Sequence, residues 1–90
     1  MEAFEISDLR QQRERSGARY LEFLTVPAIS TGIYELSKGA TDTHQPHTED
    51  EVYYVVSGRG AISVADEDGP LGPGSVVFVG AKVEHHFHSI

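Results

Sequence analysis

Ninety residues at 39% hydrophobic content provide one small core and not two. The absence of cysteine excludes disulfides and thiolate zinc sites, which leaves packing, a bound metal or oligomerisation to stabilise so short a chain. A formal charge of −7 with only seven Lys and Arg excludes a phosphate-neutralising surface, so nucleic acid is not an expected partner.

The N-terminus Met1-Glu2-Ala3-Phe4-Glu5 lacks the basic and apolar blocks of a signal peptide, and no apolar run approaches the ~20 residues of a membrane span. The expectation is a soluble cytoplasmic protein that does not engage membranes. Ser7 through Gly17 opens on a capping residue, continues with helix formers and ends on Gly, which predicts a short surface helix with Leu9 as its interior anchor. Arg10, Arg13, Arg15 and Arg19 cluster there, a charge run read as a solvated face. Residues 1–18 are thus an N-terminal arm, and residues 19–90 form one β domain.

Tyr20 to Val26 is rich in aromatic and β-branched residues and ends at Pro27, predicting a first strand. Ser30 to Ser37 predicts a second, with Lys38 to Thr43 as a polar connector. Beyond the Gly58-Arg59-Gly60 turn, Ala61 to Ala65 alternates as a strand, and Asp66-Glu67-Asp68-Gly69 reads as a hairpin turn. Gly72-Pro73-Gly74 is another sharp turn. Ser75 to Val79 is apolar on both faces, predicting burial on both, and Gly80 to Glu84 bends into His85-His86-Phe87-His88. Short strands with turn signals every 8 to 12 residues or so argue for a sandwich or barrel.

The chemistry sits around His47 and Glu51. A straight strand would separate them by ~13 Å, too far to share an ion, so the chain must turn. A loop at Thr48-Glu49-Asp50 would set them opposite each other on antiparallel strands, close enough for imidazole and carboxylate to meet one metal. Strand parity adds Gln45 on the His47 face, whereas His44 is the better ligand by chemistry. Parity also turns His85 inward beside Phe87 and leaves His86 and His88 outward, a pair that could bind metal adventitiously. Tyr53 and Val55 share the face of Glu51, with Tyr34 and Phe78 as further candidate walls. Tyr53 is the candidate catalytic hydroxyl. Val52, Tyr54 and Val56 are apolar on the opposite face, which predicts cover by a second subunit or the N-terminal arm. A homodimer is the expectation.

Gly39-x4-His44-Gln45-Pro46-His47-x3-Glu51-x6-Gly58 resembles the first motif of the cupin superfamily, and Gly74 through His85 resembles the second. The resemblance covers the chain from about Ile33 to its end. It implies an all-β double-stranded β-helix, or jelly roll, of two antiparallel sheets with a metal between them. Carried over by position, it implies His47, Glu51 and His85 as metal ligands and Gln45 as the fourth. Gln45 stands where the family has the first His of His-x-His; a Gln-x-His pair also ligates metal in the phosphomannose isomerase cupins. Gly80 and Lys82 replace the usual Pro and Gly of the second motif. The ligand set suits Fe, Mn, Ni, Zn or Cu as the divalent ion. The function expected is a metal-dependent enzyme, dioxygenase- or isomerase-like, acting on a small polar organic substrate. The alternative is a non-catalytic cupin that binds or senses a small ligand.

Overall fold

The computed structural model describes residues 1–43 and 45–90. One helix and seven strands follow in the order α1 (Ile6–Ser16), β1 (Tyr20–Val26), β2 (Ile29–Tyr34), β3 (Glu51–Tyr54), β4 (Gly60–Val64), β5 (Glu67–Leu71), β6 (Val76–Val79) and β7 (His85–His88). The all-β plan with a short N-terminal helix is therefore present, and every strand pairing is antiparallel. Among the described residues the ladders form sheets β1-β2, β3-β6 and β5-β4-β7, and they do not close into a continuous barrel. None of the described helices is long and apolar enough to cross a membrane. The chain divides into two units, Met1–Leu36 and Ser37–Ile90.

In the first unit, α1 starts one residue before the expected Ser7 cap. Its N-cap is Glu5, whose carbonyl accepts from the Asp8 and Leu9 amides at 3.1 Å, so Ser7 is spent inside the first turn. Gly17 ends the helix at φ 75°, donating its amide to the carbonyls of Arg13 and Glu14, a backbone state that favours a residue without Cβ. Leu9 is the one buried helix residue, as its isolation among polar neighbours predicts. The basic run is not all solvated. Arg10 and Arg13 reach the two oxygens of Glu35, just past β2, at 2.7 and 2.6 Å. Partial burial pushes the Glu35 carboxyl up, but the hydrogen bonds and charges of Arg10 and Arg13 outweigh it and hold the group below the usual carboxylate range. This clamp contributes stability above the unfolded-state carboxylate pKa and loses it as pH falls through the lower folded value. β1 and β2 form a hairpin across Pro27-Ala28, with an irregularity between Glu22 and Leu24.

The second unit carries the chemistry. β3 and β6 pair with Glu51 opposite Val79, Val52 opposite Phe78, Tyr53 opposite Val77 and Tyr54 opposite Val76. Alternation gives this two-stranded ladder an inner face of Glu51, Tyr53, Val77 and Val79, with Val79 1% exposed. Its other face, Val52, Tyr54, Val76 and Phe78, is 64–66% exposed. This corrects the expectation that the β6 segment is buried on both sides and that Phe78 walls the site: Phe78 points away from Glu51. Continuous apolar character marks a strand covered on both faces, and within this unit no described segment supplies the second cover.

β4 is the centre of the other sheet, with Ala61 and Ile62 buried and β5 and β7 on its flanks. Val64 pairs with Glu67, so the hairpin turns at Ala65-Asp66, earlier and tighter than the predicted turn at Asp66 to Gly69. Ala65 takes φ 52° to make that turn, and Glu67, Asp68 and Gly69 become strand residues. An acidic run before Gly reads as a turn locally, but pairing with β4 along one edge recruits it into the sheet.

Candidate metal centre

No strand precedes Glu51 in the described part of the loop, so the expected hairpin with His47 on a neighbouring strand does not form. β3 spends its ladder on β6 instead, and residues 48 and 49 bend the chain. The bend nevertheless brings His47 Nδ1 to 3.3 Å from Glu51 Oε1. The loop is pinned at both ends. The Gly39 amide donates to the Ile90 carbonyl at 2.8 Å, and Asp42 Oδ2 accepts from the Phe87 amide at 2.8 Å. At the far end the Lys82 amide donates to the His47 carbonyl at 2.7 Å, and the Ala81 amide to Asp50 Oδ1 at 2.9 Å.

His85 opens β7, and its side chain is 1% exposed. Its Nδ1 lies 2.8 Å from the Val83 carbonyl, which assigns the proton to Nδ1 and leaves the Nε2 lone pair directed at the site. Nε2 lies 3.6 Å from Glu51 Oε2 and 3.1 Å from Tyr53 Oη. Tyr53 in turn donates to Glu51 Oε2. Its ring stands edge-on to Phe87, centroids 5.0 Å apart, so β3 and β7 meet through this aromatic contact.

Glu51 is thus the hub, with His47 beside one oxygen and His85 and Tyr53 beside the other. Oε1 is buried and has no hydrogen-bond partner among the described residues. With His47 Nδ1 3.3 Å away, a buried carboxylate oxygen in that state suits a cation, whether a protonated imidazole or a metal ion. The imidazole and carboxylate donors around it match a divalent ion: ligands bound at ~2.1 Å stand roughly 3.0–3.4 Å from one another, close to the two measured separations. As the side chains stand, no three described His, Asp or Glu groups converge on one point. Gln45 is exposed in the loop two residues before His47. The alternative ligand His44 lies outside the described residues. Tyr34 belongs to the first unit, where its ring lies 6.3 Å from that of Tyr20.

Spacing and parity had no means of finding the Val83 carbonyl or the Asp42 and Asp50 anchors, because backbone acceptors leave no mark in a sequence and loop aspartates are common. Lys82 did leave a mark, as a departure from the glycine of the resembled motif. It sits at φ 63°, a left-handed conformation that strains a side chain by about 1–2 kcal/mol. Lys82→Gly is therefore expected to stabilise the fold by about 0.5–1 kcal/mol after the unfolded-state entropy of glycine is subtracted, a rise of a few degrees in thermal midpoint. An unchanged or lower midpoint would show that the bend carries no such strain.

Comparison with known proteins agrees with this architecture. The family model described as Cupin domain matches residues 32–90. An uncharacterized protein of Streptomyces coelicolor is 47% identical over 90 residues, covering 100% of this chain and 86% of that protein. The acireductone dioxygenase of Bacillus cytotoxicus is 31% identical over 88 residues, 92% of this chain and 49% of its own length. That of Bacillus licheniformis is 31% identical over 90 residues, 94% and 48% respectively. The chain therefore spans about half the length of the dioxygenases it matches. No solved structure gives a significant match. A family match running from β2 through β7, over strands that pair antiparallel around Glu51 and His85, makes this chain a member of the cupin family.

Proposed function

We propose that this cupin is a small metal-dependent enzyme in which His47, Glu51 and His85 hold one divalent ion, with Gln45 as the fourth ligand, and that it acts on a small polar organic molecule. The observation that carries this reading is the buried Oε1 of Glu51, beside the His47 imidazole and without a hydrogen-bond partner among the described residues. The dioxygenase relatives favour oxygenase over isomerase chemistry. An ion held by imidazole and carboxylate groups with open positions supplies Lewis acidity and, for a redox metal, a site for O₂. The chain's own residues do the rest. Val83 orients His85 through Nδ1, and Tyr53, whose hydroxyl donates to Glu51 Oε2 and lies 3.1 Å from His85 Nε2, is the group positioned to give or take a proton at a bound molecule. Elemental analysis of tag-free protein expressed with Fe, Mn, Ni, Zn or Cu and then dialysed is expected to find one tightly held ion per chain. A metal-free wild type in every case would overturn the reading.

The non-catalytic alternative draws on the polar trio of Tyr53, Glu51 and His85, whose mutual contacts would serve a small-ligand pocket as well. Turnover of any substrate that chelation abolishes would remove that alternative.

The same reading includes a homodimer. Val52, Tyr54, Val76 and Phe78 form two directly opposed cross-strand pairs on an uncharged face, and Val56 extends it at 51% exposure. Together they expose on the order of 500 Å² of apolar surface, the size of a functional patch and most of the ~800 Å² that one partner contributes to a standard interface. A twofold contact would match the face to itself.

A further inference from the structure

We propose that Asp68, His86 and His88 form a second, outward-facing site for a divalent transition-metal ion of the zinc and copper class, separate from the Glu51 centre. The placement follows from the β5-β4-β7 ladder. Ser63 of β4 stands opposite both Asp68 and His86, and Ala61 stands opposite His88. Alternation therefore puts Ser63, Asp68, His86 and His88 on one face, the reverse of the face that buries Ile62 and His85. Asp68 and His86 are exposed and His88 half-buried, so an ion can enter from solvent and keep water in its remaining positions.

Two of the three ligands are already in contact, and although no three described groups converge on one point as the side chains stand, a turn of the His86 ring would complete the set. His88 Nε2 lies 2.6 Å from Asp68 Oδ1, and the His86 and His88 rings are 5.8 Å apart. Two imidazoles that share one ion at ~2.0–2.1 Å have centroids about 5–6 Å apart, which these rings already satisfy. An ion would take the place of the proton between His88 Nε2 and Asp68 Oδ1, with the gap opening to about 3 Å and the His86 ring turning to meet it. Asp68 and His88 each also have an outer hydrogen bond of the kind that holds such ligands in place. Ser63 Oγ donates to Asp68 Oδ1 at 2.6 Å, and His88 Nδ1 lies 2.9 Å from Ser89 Oγ. Asp68 Oδ1 thus sits where the Ser63 hydroxyl and the His88 ring meet, with the carboxylate open to solvent. Two imidazoles and one carboxylate suit Zn(II), Cu(II) or Ni(II) in preference to Mg(II) or Ca(II).

The test is a calorimetric titration of tag-free protein with Zn(II), in wild type and in two backgrounds that disable the interior centre, Glu51→Gln and His47→Ala. Both backgrounds are expected to retain one Zn(II) equivalent. Adding His86→Ala, which removes an exposed ring and leaves the Asp68 to His88 bond intact, is expected to weaken it at least about tenfold, as is Asp68→Asn. Two outcomes overturn the proposal: loss of all Zn(II) binding in both backgrounds, or a change below about threefold on His86→Ala, the mark of a single imidazole binding adventitiously. A failed interior centre gives a different pattern, in which wild type and Glu51→Gln bind the same single equivalent and His86→Ala weakens both.

Discussion

Glu51→Gln is expected to reduce tightly bound interior metal to less than about a tenth of the wild-type level, with any metal-dependent turnover falling in parallel. The substitution keeps the shape of the side chain and removes only its charge, so Tyr53 retains an oxygen to donate to. It also relieves the buried Oε1 of the need for a positive partner, and the apo fold should be little changed or slightly more stable. That separation of effects makes it a sharper probe than His85→Ala. His85 is buried and tied to the Val83 carbonyl, and truncating it would cost about 2–3 kcal/mol of stability before any metal is considered. A Glu51→Gln protein that holds its full complement of interior ion would rule out Glu51 as a ligand, whatever else the centre does.

Phe78→Glu is expected to convert a dimer into a monomer, read by sedimentation or light scattering at micromolar concentration. The ring is 64% exposed on the outer face of β6, directly opposite Val52. Removing one buried Phe forfeits about 2–3 kcal/mol, and a twofold interface loses it twice, so the dissociation constant should rise at least about a thousandfold. Because the side chain makes little of the monomer's core, its melting behaviour as a monomer should shift by less than about 0.5 kcal/mol. A wild type that sediments as a monomer would remove the dimer and return the face to the N-terminal arm or another partner.

Much of the architecture was readable from residue order because it rests on period and punctuation. Tyr20 to Val26, the alternation at Ala61 to Val64 and the glycine that stops the helix each announce a local conformation through local chemistry. The inward turn of His85 and the shared face of Glu51 and Tyr53 follow from strand parity alone. Parity, however, cannot name a strand's partner. Distance arithmetic alone pairs Glu51 back on His47, but β3 pairs with β6, Glu51 opposite Val79, and His47 is delivered by a loop pinned to Ala81 and Lys82.

Other features were decided only by tertiary placement. The Asp66 to Gly69 run carries every mark of a turn, yet β4 draws most of it into β5 and leaves Ala65 to adopt the left-handed backbone. Arg10 and Arg13 read as solvated charge until the end of β2 brings Glu35 between them. Phe78 reads as core until the ladder sends it to the outer face. Local composition specified which residues could form strands, turns and ligands, since those preferences act over a few bonds. Which carboxylate oxygen comes to lie beside His47, and which histidines share a face with Asp68, depended on the placement and register of distant strands, a long-range choice that the whole packed chain makes at once.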